Sequence, residues 1–226
     1  MSRHSIHFEA QIRKLKEMML SLGSLAEESV RNSLTALKER DTVLAVRVIN
    51  GDEKSDQMEV ELEEEWLKTL ALHQPVANDL RLVISVLKIN NDLERIADLA
   101  TNIAERTIDL SKVSPIVFPS IFLDMGEKAQ WMLKASLDAF VELDPGLAQK
   151  VCCADDGVDI GLKAMYRLVQ DEVRHDPERI ERLTQVLSVS RYLERMADLA
   201  TNIAEDIIYL SEGKIIRHQS EVFPKL

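Results

Sequence analysis

The segment Leu93-Glu-Arg-Ile-Ala-Asp-Leu-Ala-Thr-Asn-Ile-Ala-Glu105 returns as Leu193-Glu-Arg-Met-Ala-Asp-Leu-Ala-Thr-Asn-Ile-Ala-Glu205, with one exchange, Ile96 for Met196. An internal repeat of this fidelity constrains the architecture before any other feature does. On a helix, at about 100° per residue, Leu93, Ile96, Ala97, Ala100, Ile103 and Ala104 form one apolar face. Glu94, Asp98, Thr101 and Glu105 fall on a separate stripe, within about 60° of one another. Acids at i and i+4 repel by about 0.2–0.5 kcal/mol per pair on an exposed helix. A stripe built this way twice calls for a cause, and a shared cation is the specific one. The alternative is a solvated acidic face, with Arg95 and Arg195 three residues before Asp98 and Asp198 as i,i+3 salt-bridge partners.

Working outward, the duplication extends to the preceding helix of each half. Asp52-x3-Asp56 matches Asp155-x3-Asp159 in the register of Ser33-Leu34 and Ser136-Leu137. Asp52, Asp56, Glu59 and Glu63 share one helical stripe, because offsets of 4, 7 and 11 nearly close whole turns. Each half therefore pairs an Asp-x3-Asp helix with a Glu-x3-Asp helix, which brings four carboxylates together if the helices are antiparallel neighbours. Oxygen ligands of this kind suit magnesium, calcium, manganese or iron rather than zinc. Bridging carboxylates on facing helices are also how bundles hold multinuclear centres.

The apolar spacing predicts six helices, at 6–39, 42–72, 75–111, 121–142, 145–174 and from 177 to Gly213. Asp41 and Asp144 are expected as N-caps, Pro75, Pro145 and Pro177 as first-turn residues, and Gly213 as the final C-cap. Pro115 and Pro119 make the joint between halves, since two prolines so close cannot lie inside a helix. The expected architecture is all-α: two tandem three-helix bundles, 1–113 and 114–226, the second ending in a short tail at 214–226. His73 and His175 are expected as turn residues that end a helix.

Composition agrees. Of 226 residues, 46% are hydrophobic but only 4% aromatic, which favours helices packed through Leu, Ile, Val and Ala over sheets. The net charge of −11 is spread over both halves with no basic patch, so nucleic acid is not an expected partner. Cys152 and Cys153 are adjacent, which favours free thiols in a reducing cytosol over a disulfide. No signal peptide is expected at the start, and no apolar run is long enough for membrane insertion. A soluble, cytoplasmic protein is expected. Gly-rich phosphate loops and nucleophilic triads are missing from the sequence, so no catalytic residue is expected and the protein is read as a non-enzyme.

His73-Gln-Pro-Val-Ala-Asn-Asp-Leu-Arg81, leading into Asp92-Leu-Glu-Arg-Ile-Ala-Asp-Leu-Ala-Thr-Asn-Ile-Ala104, resembles the PhoU family of phosphate-uptake regulators over nearly the whole chain. The resemblance implies a pair of three-helix bundles in a cytoplasmic, often homodimeric protein. It also implies a negative regulator of phosphate uptake and of the phosphate-starvation response. Such a protein contacts the ATPase subunit of the phosphate ABC transporter and a phosphate sensor histidine kinase, peripherally at the inner face of the membrane.

The resemblance also implies metal sites, since some members of the family bind multinuclear iron or other metal clusters through Glu/Asp-x3-Asp motifs. Those motifs carry over to Asp52 and Asp56, Glu94 and Asp98, Asp155 and Asp159, and Glu194 and Asp198. The first half extends the series with Glu105-x3-Asp109, whereas in the second Glu205 is the matching acid and Tyr209 stands in place of the other, so the two sites need not hold equal numbers of ions. The second half also lacks the Gln-Pro-Val-Ala-Asn-Asp-Leu-Arg segment. Two other classes fit parts of the pattern. A ferritin-like oxidase or storage protein would need two Glu-x-x-His motifs, and only Glu172-x-x-His175 exists; a metal-free helical adaptor would fit the heptads.

Overall fold

A computed structural model describes residues 3–213, and the tail expected at 214–226 lies outside them. The described residues form six long helices and one short 3₁₀ turn, with no strand among them. The helices are α1 (Arg3–Glu39), α2 (Thr42–His73), α3 (Ala77–Ser111), α4 (Ser120–Glu142), α5 (Pro145–His175) and α6 (Ile180–Glu212). In each half the three helices pack mutually, and α3 packs along α6 across the seam.

The α1 seam closes as the spacing requires, with Leu15, Met19, Leu22, Ala26, Val30 and Leu37 buried. The apolar face of the repeat does the same on α3 and α6: Leu93, Ile96, Ala100 and Ile103 are buried, as are Leu193, Met196, Ala200 and Ile203. These residues belong to one continuous core that runs through both halves. The halves meet a second time where α1 crosses α4. A Cβ on Gly23 would come within 2.8 Å of Leu137, and at the equivalent place Gly126 lies against Leu34. The duplicated crossing is thus related by an approximate two-fold, with a glycine receiving a leucine on each side.

The caps form as expected at two corners. Asp41 accepts from the Val43 and Leu44 amides at 2.9 Å each, and Asp144 from Gly146 and Leu147 at 2.8 and 3.1 Å. Each satisfies two amides that the first turn leaves unpaired. Gly213 closes α6 in the left-handed region, its amide donating to Tyr209.

Two helix starts differ from expectation. Pro75 is not a first-turn residue: α3 begins at Ala77, after Val76 in an extended conformation without a side-chain cap. Proline drives Gln74 out of right-handed helical space, and the chain turns there through Gln74 at φ 45° and Ala77 at φ 52°. Pro177 opens a 3₁₀ turn, Pro177–Arg179, with Asp176 capping the Glu178 amide, and α6 follows at Ile180. The joint between halves is anchored: Arg40 donates to the Ser111 and Val113 carbonyls, and Phe118 stacks on Phe122.

Candidate metal centres

The antiparallel packing of α2 on α3 brings the two first-half motifs together. Asp52, Asp56 and Asp98 place ligand oxygens within 4.8 Å of one another. Glu94, Glu59 and Glu105 stand close enough to act on them: Glu94 feels Asp98, Glu59 and Asp56, and Asp52 feels Glu105. Asp109 lies apart from this group, ion-paired with Arg106 at 3.4 Å and Lys112 at 3.1 Å.

The electrostatics are those of crowded, partly desolvated acids. Burial first, then Asp98, Glu59 and Asp56, push Glu94 up to about 7, with Arg95 offsetting only part of the effect. Asp98 is raised by burial and by Asp56. Asp52 is raised by burial, against a hydrogen bond from the Thr101 hydroxyl, and then by Asp56, Asp98 and Glu105. Desolvation and like charge both disfavour the ionised form, and a bound cation opposes both.

The second half sets the equivalent acids on α5 and α6 near enough to act on one another, but among the described residues only the Asp52, Asp56 and Asp98 trio gathers its oxygens within 4.8 Å. Burial, then Asp198, Asp159, Asp156 and Glu194, drive Asp155 up to about 7. Glu194 is raised by burial, Asp198 and Asp159, and Asp198 by burial and Asp159. Glu205 acts on the thiol of Cys152 beside Asp155. At the equivalent first-half positions stand Ile49 for Cys152 and Glu59 for Leu162, so the first centre is richer in oxygen and the second carries a thiol at its edge.

The donor set fits a hard cation. Asp52 Oδ1 and its counterpart Asp155 Oδ1 are both buried without a hydrogen-bond partner, an arrangement that costs free energy unless something else satisfies the oxygen. Residues beyond the Asp-x3-Asp and Glu-x3-Asp motifs also act on the centres: Glu59 on Glu94, a Thr101 hydrogen bond on Asp52, and Asp155 on the Cys152 thiol. Glu59 was visible on the acidic stripe of α2. Cys152 precedes Asp155 by three residues, one helical turn, and only the packing of α5 on α6 brings Glu205 to bear on its thiol.

The i,i+3 salt bridges that the alternative of a solvated acidic face offered, Arg95 to Asp98 and Arg195 to Asp198, do not form: neither arginine lies within ion-pair distance of a carboxylate among the described residues. Both instead line a cavity of about 530 Å³ between α3 and α6, with Asp98 and Asp198 contributing to its walls. His175 ends α5 with Nδ1 2.7 Å from the Asp171 carbonyl, and His73 ends α2 against Phe8. Glu172, of the lone Glu-x-x-His pair, is ion-paired with Arg179.

The comparisons with known proteins follow this duplicated geometry. The model of the PhoU domain matches twice, over residues 19–107 and 122–207. The chain belongs to the PhoU family. A Pseudomonas putida relative named phosphate-specific transport system accessory protein PhoU homolog is 39% identical over 95% of this chain and 84% of its own length. The crystal structure of PhoU from Pseudomonas aeruginosa superposes with a TM-score of 0.89 at 36% identity, covering 92% of this chain and all of that one. The phosphate transport system regulatory protein PhoU from Streptococcus pneumoniae superposes with a TM-score of 0.82 at 30% identity, over 92% and 98%. The match of both PhoU domains to the two halves agrees with the duplication read from the 93–105 repeat.

Proposed function

We propose that this protein is an accessory regulator of phosphate-specific transport that works by contact rather than turnover. It restrains phosphate uptake and the starvation response by binding the transporter's ATPase subunit and a phosphate sensor histidine kinase, as a homodimer at the cytoplasmic face of the membrane. The observation that carries this reading is the match of both halves to the PhoU domain, together with relatives named as accessory and regulatory proteins of phosphate transport. Among the described residues no helix is long and apolar enough to cross a membrane, which fits a peripheral role.

The two carboxylate centres are read as cation sites. Asp52, Asp56, Glu94 and Asp98, with Glu105 at the margin, would hold iron, manganese or magnesium in the first half; Asp155, Asp159, Glu194 and Asp198, with Glu205, in the second. A di- or trivalent ion there would cancel the mutual repulsion of these groups and clamp α2 to α3 and α5 to α6. The protein's own residues supply the rest: a complete apolar core that holds the helices without the ion, and partly desolvated carboxylates that sharpen the preference for a cation.

Affinity capture from solubilised membranes, by the full chain, tests the contact reading. Recovery of the ATPase subunit or the kinase supports it; recovery of neither, with phosphate uptake and the starvation response unchanged on deletion of the gene, overturns it. Metal content of untagged protein tests the centres separately, and a metal-free result with partner capture intact would favour the plain helical adaptor.

A further inference from the structure

The repeat holds more than a core face and a carboxylate stripe. Leu93, Ile96 and Ile103 are explained by burial, and Glu94, Asp98 and Glu105 by the acidic cluster. Arg95 and Asn102 serve neither purpose, yet they return as Arg195 and Asn202. The structure brings all four together. They line the cavity of about 530 Å³ between α3 and α6, alongside Asp98 and Asp198. Two cross-seam contacts flank that cavity along the helices: Lys88 to Asp206 at 3.2 Å, and Arg106 to Gln185 at 3.1 Å.

The chemistry of the lining is directional. Arg95 and Arg195 are charged at every physiological pH and form no ion pair among the described residues. Each presents a planar fork of donors suited to phosphoryl oxygens. Asn102 uses one amide hydrogen on the Asp98 carbonyl at 2.8 Å and retains a second. The only acids on the walls, Asp98 and Asp198, are each a member of one of the two carboxylate clusters. With the clusters empty, their combined negative charge repels an anion from the cavity. Each di- or trivalent cation held there removes two or three units of that charge, and as it falls the two guanidiniums come to dominate the cavity.

We infer that the cavity between α3 and α6 binds a phosphoryl anion between Arg95 and Arg195, with Asn102 and Asn202 as further donors, and does so only when the flanking carboxylate clusters hold metal. The inference rests on the cation reading of those clusters. A cavity of this volume is of the size that accepts whole small molecules, so a phosphoryl group carried on a larger molecule fits as well as free orthophosphate. Linkage makes the effect reciprocal: the anion raises cation affinity by the factor by which the cation raises anion affinity. Phosphate abundance would then be read out as metal occupancy of the regulator.

Equilibrium dialysis of labelled orthophosphate against the full chain, stripped with chelator and then reloaded with manganese, tests this, with metal content measured in the same samples. The expected result is binding by the loaded protein that falls at least tenfold on stripping and at least tenfold in Arg95→Ala or Arg195→Ala, with Arg95→Lys intermediate. Both arginines are exposed, so these variants should keep wild-type helicity, which circular dichroism verifies. Competition by phenyl phosphate assigns the site to a carried phosphoryl group as well as the free ion, and failure to compete assigns it to free phosphate. Manganese retained without phosphate binding, or a double Arg95→Ala/Arg195→Ala variant that binds like wild type, overturns the inference and leaves the cation sites standing. No manganese uptake at all overturns both.

Discussion

Lys88 on α3 and Asp206 on α6 stand 3.2 Å apart across the seam between the two halves, and Asp206 is 2% exposed. The pair is asymmetric. The repeat places Ser188 opposite Lys88 and Arg106 opposite Asp206, so the bridge is a feature of the assembled molecule and not of either half. It sits at the edge of a core that is continuous through both halves. The chain should therefore unfold in one transition, and Lys88→Met should lower the stability of the whole by about 1–3 kcal/mol, the scale for a lost hydrogen bond to a buried charged group. Urea unfolding followed by circular dichroism and by tryptophan fluorescence checks this. Two separated transitions in the wild type would mean that the halves are energetically independent.

Helix capping gives a second, local expectation. Asp41 and Asp144 each accept from two amides at the corresponding corner of each half. Asp41→Ala and Asp144→Ala should each cost about 0.5–2 kcal/mol. Their effects should add, because the two corners share no partner. A double variant that loses clearly more than the sum would show that the corners are coupled through the core.

How far the sequence reached depended on whether a feature is local. Periodicity and caps are local, and α2, α4 and α5 begin within a residue of their expected starts. The face of the 93–105 repeat is local too, which is why its core residues and its acids could be separated by angle alone. The start of α3 differs because Pro75 ends the preceding helix without opening the next: the chain still passes through extended Val76 and through Ala77 at φ 52° before α3 runs on. Glu59 on the acidic stripe, Cys152 beside Asp155, and the cavity shared by Arg95 and Arg195 depend on which helix packs on which. Spacing alone offers Arg95 a partner within its own helix, Asp98, and only the seam with α6 shows it lining a shared cavity instead.

Cys152 offers a chemical probe of the second centre. Burial, then Glu205, Cys153 and Asp155, push its thiol up to about 12. The thiolate is the reactive form, so alkylation of Cys152 by iodoacetamide at pH 7.5 should be at least about 100-fold slower than that of free cysteine. Mass spectrometry after timed quenching measures this site by site. Rapid modification of Cys152 in the folded protein would show that the α5–α6 packing around Asp155 is looser than described.

Removing carboxylates should stabilise the metal-free fold while abolishing cation binding in one half. Glu94→Gln with Asp98→Asn relieves an i,i+4 repulsion of about 0.2–0.5 kcal/mol and the interactions of both groups with Asp56. The variant should melt higher than wild type in chelator, lose the first-half ions, and keep those at Glu194 and Asp198. Wild type should gain more stability from manganese than the variant does, since binding only the folded state is worth RT ln(1 + [L]/Kd). Full metal stoichiometry in the variant would place the ions elsewhere.

The pH dependence of the metal-free protein should run opposite to ordinary acid denaturation in one window. Glu94 is raised from 4.5 to about 7 and Asp155 from 3.8 to about 7, so between those limits the folded chain binds more protons than the unfolded one. Stability contributed by these groups is present in full below the unfolded values and is lost as pH rises through about 7. Other carboxylates contribute slopes of their own, so the comparison that isolates the effect is wild type against Glu94→Gln. In chelator, the melting temperature of the variant should exceed that of wild type by a margin that widens from pH 5 to pH 8. With manganese the order should reverse at high pH, because cations need the deprotonated ligands and protons compete with them. A margin that stays constant across this range would mean that Glu94 keeps its ordinary acidity in the fold, and that the crowding of Asp56, Glu59 and Asp98 around it is relieved without any ion.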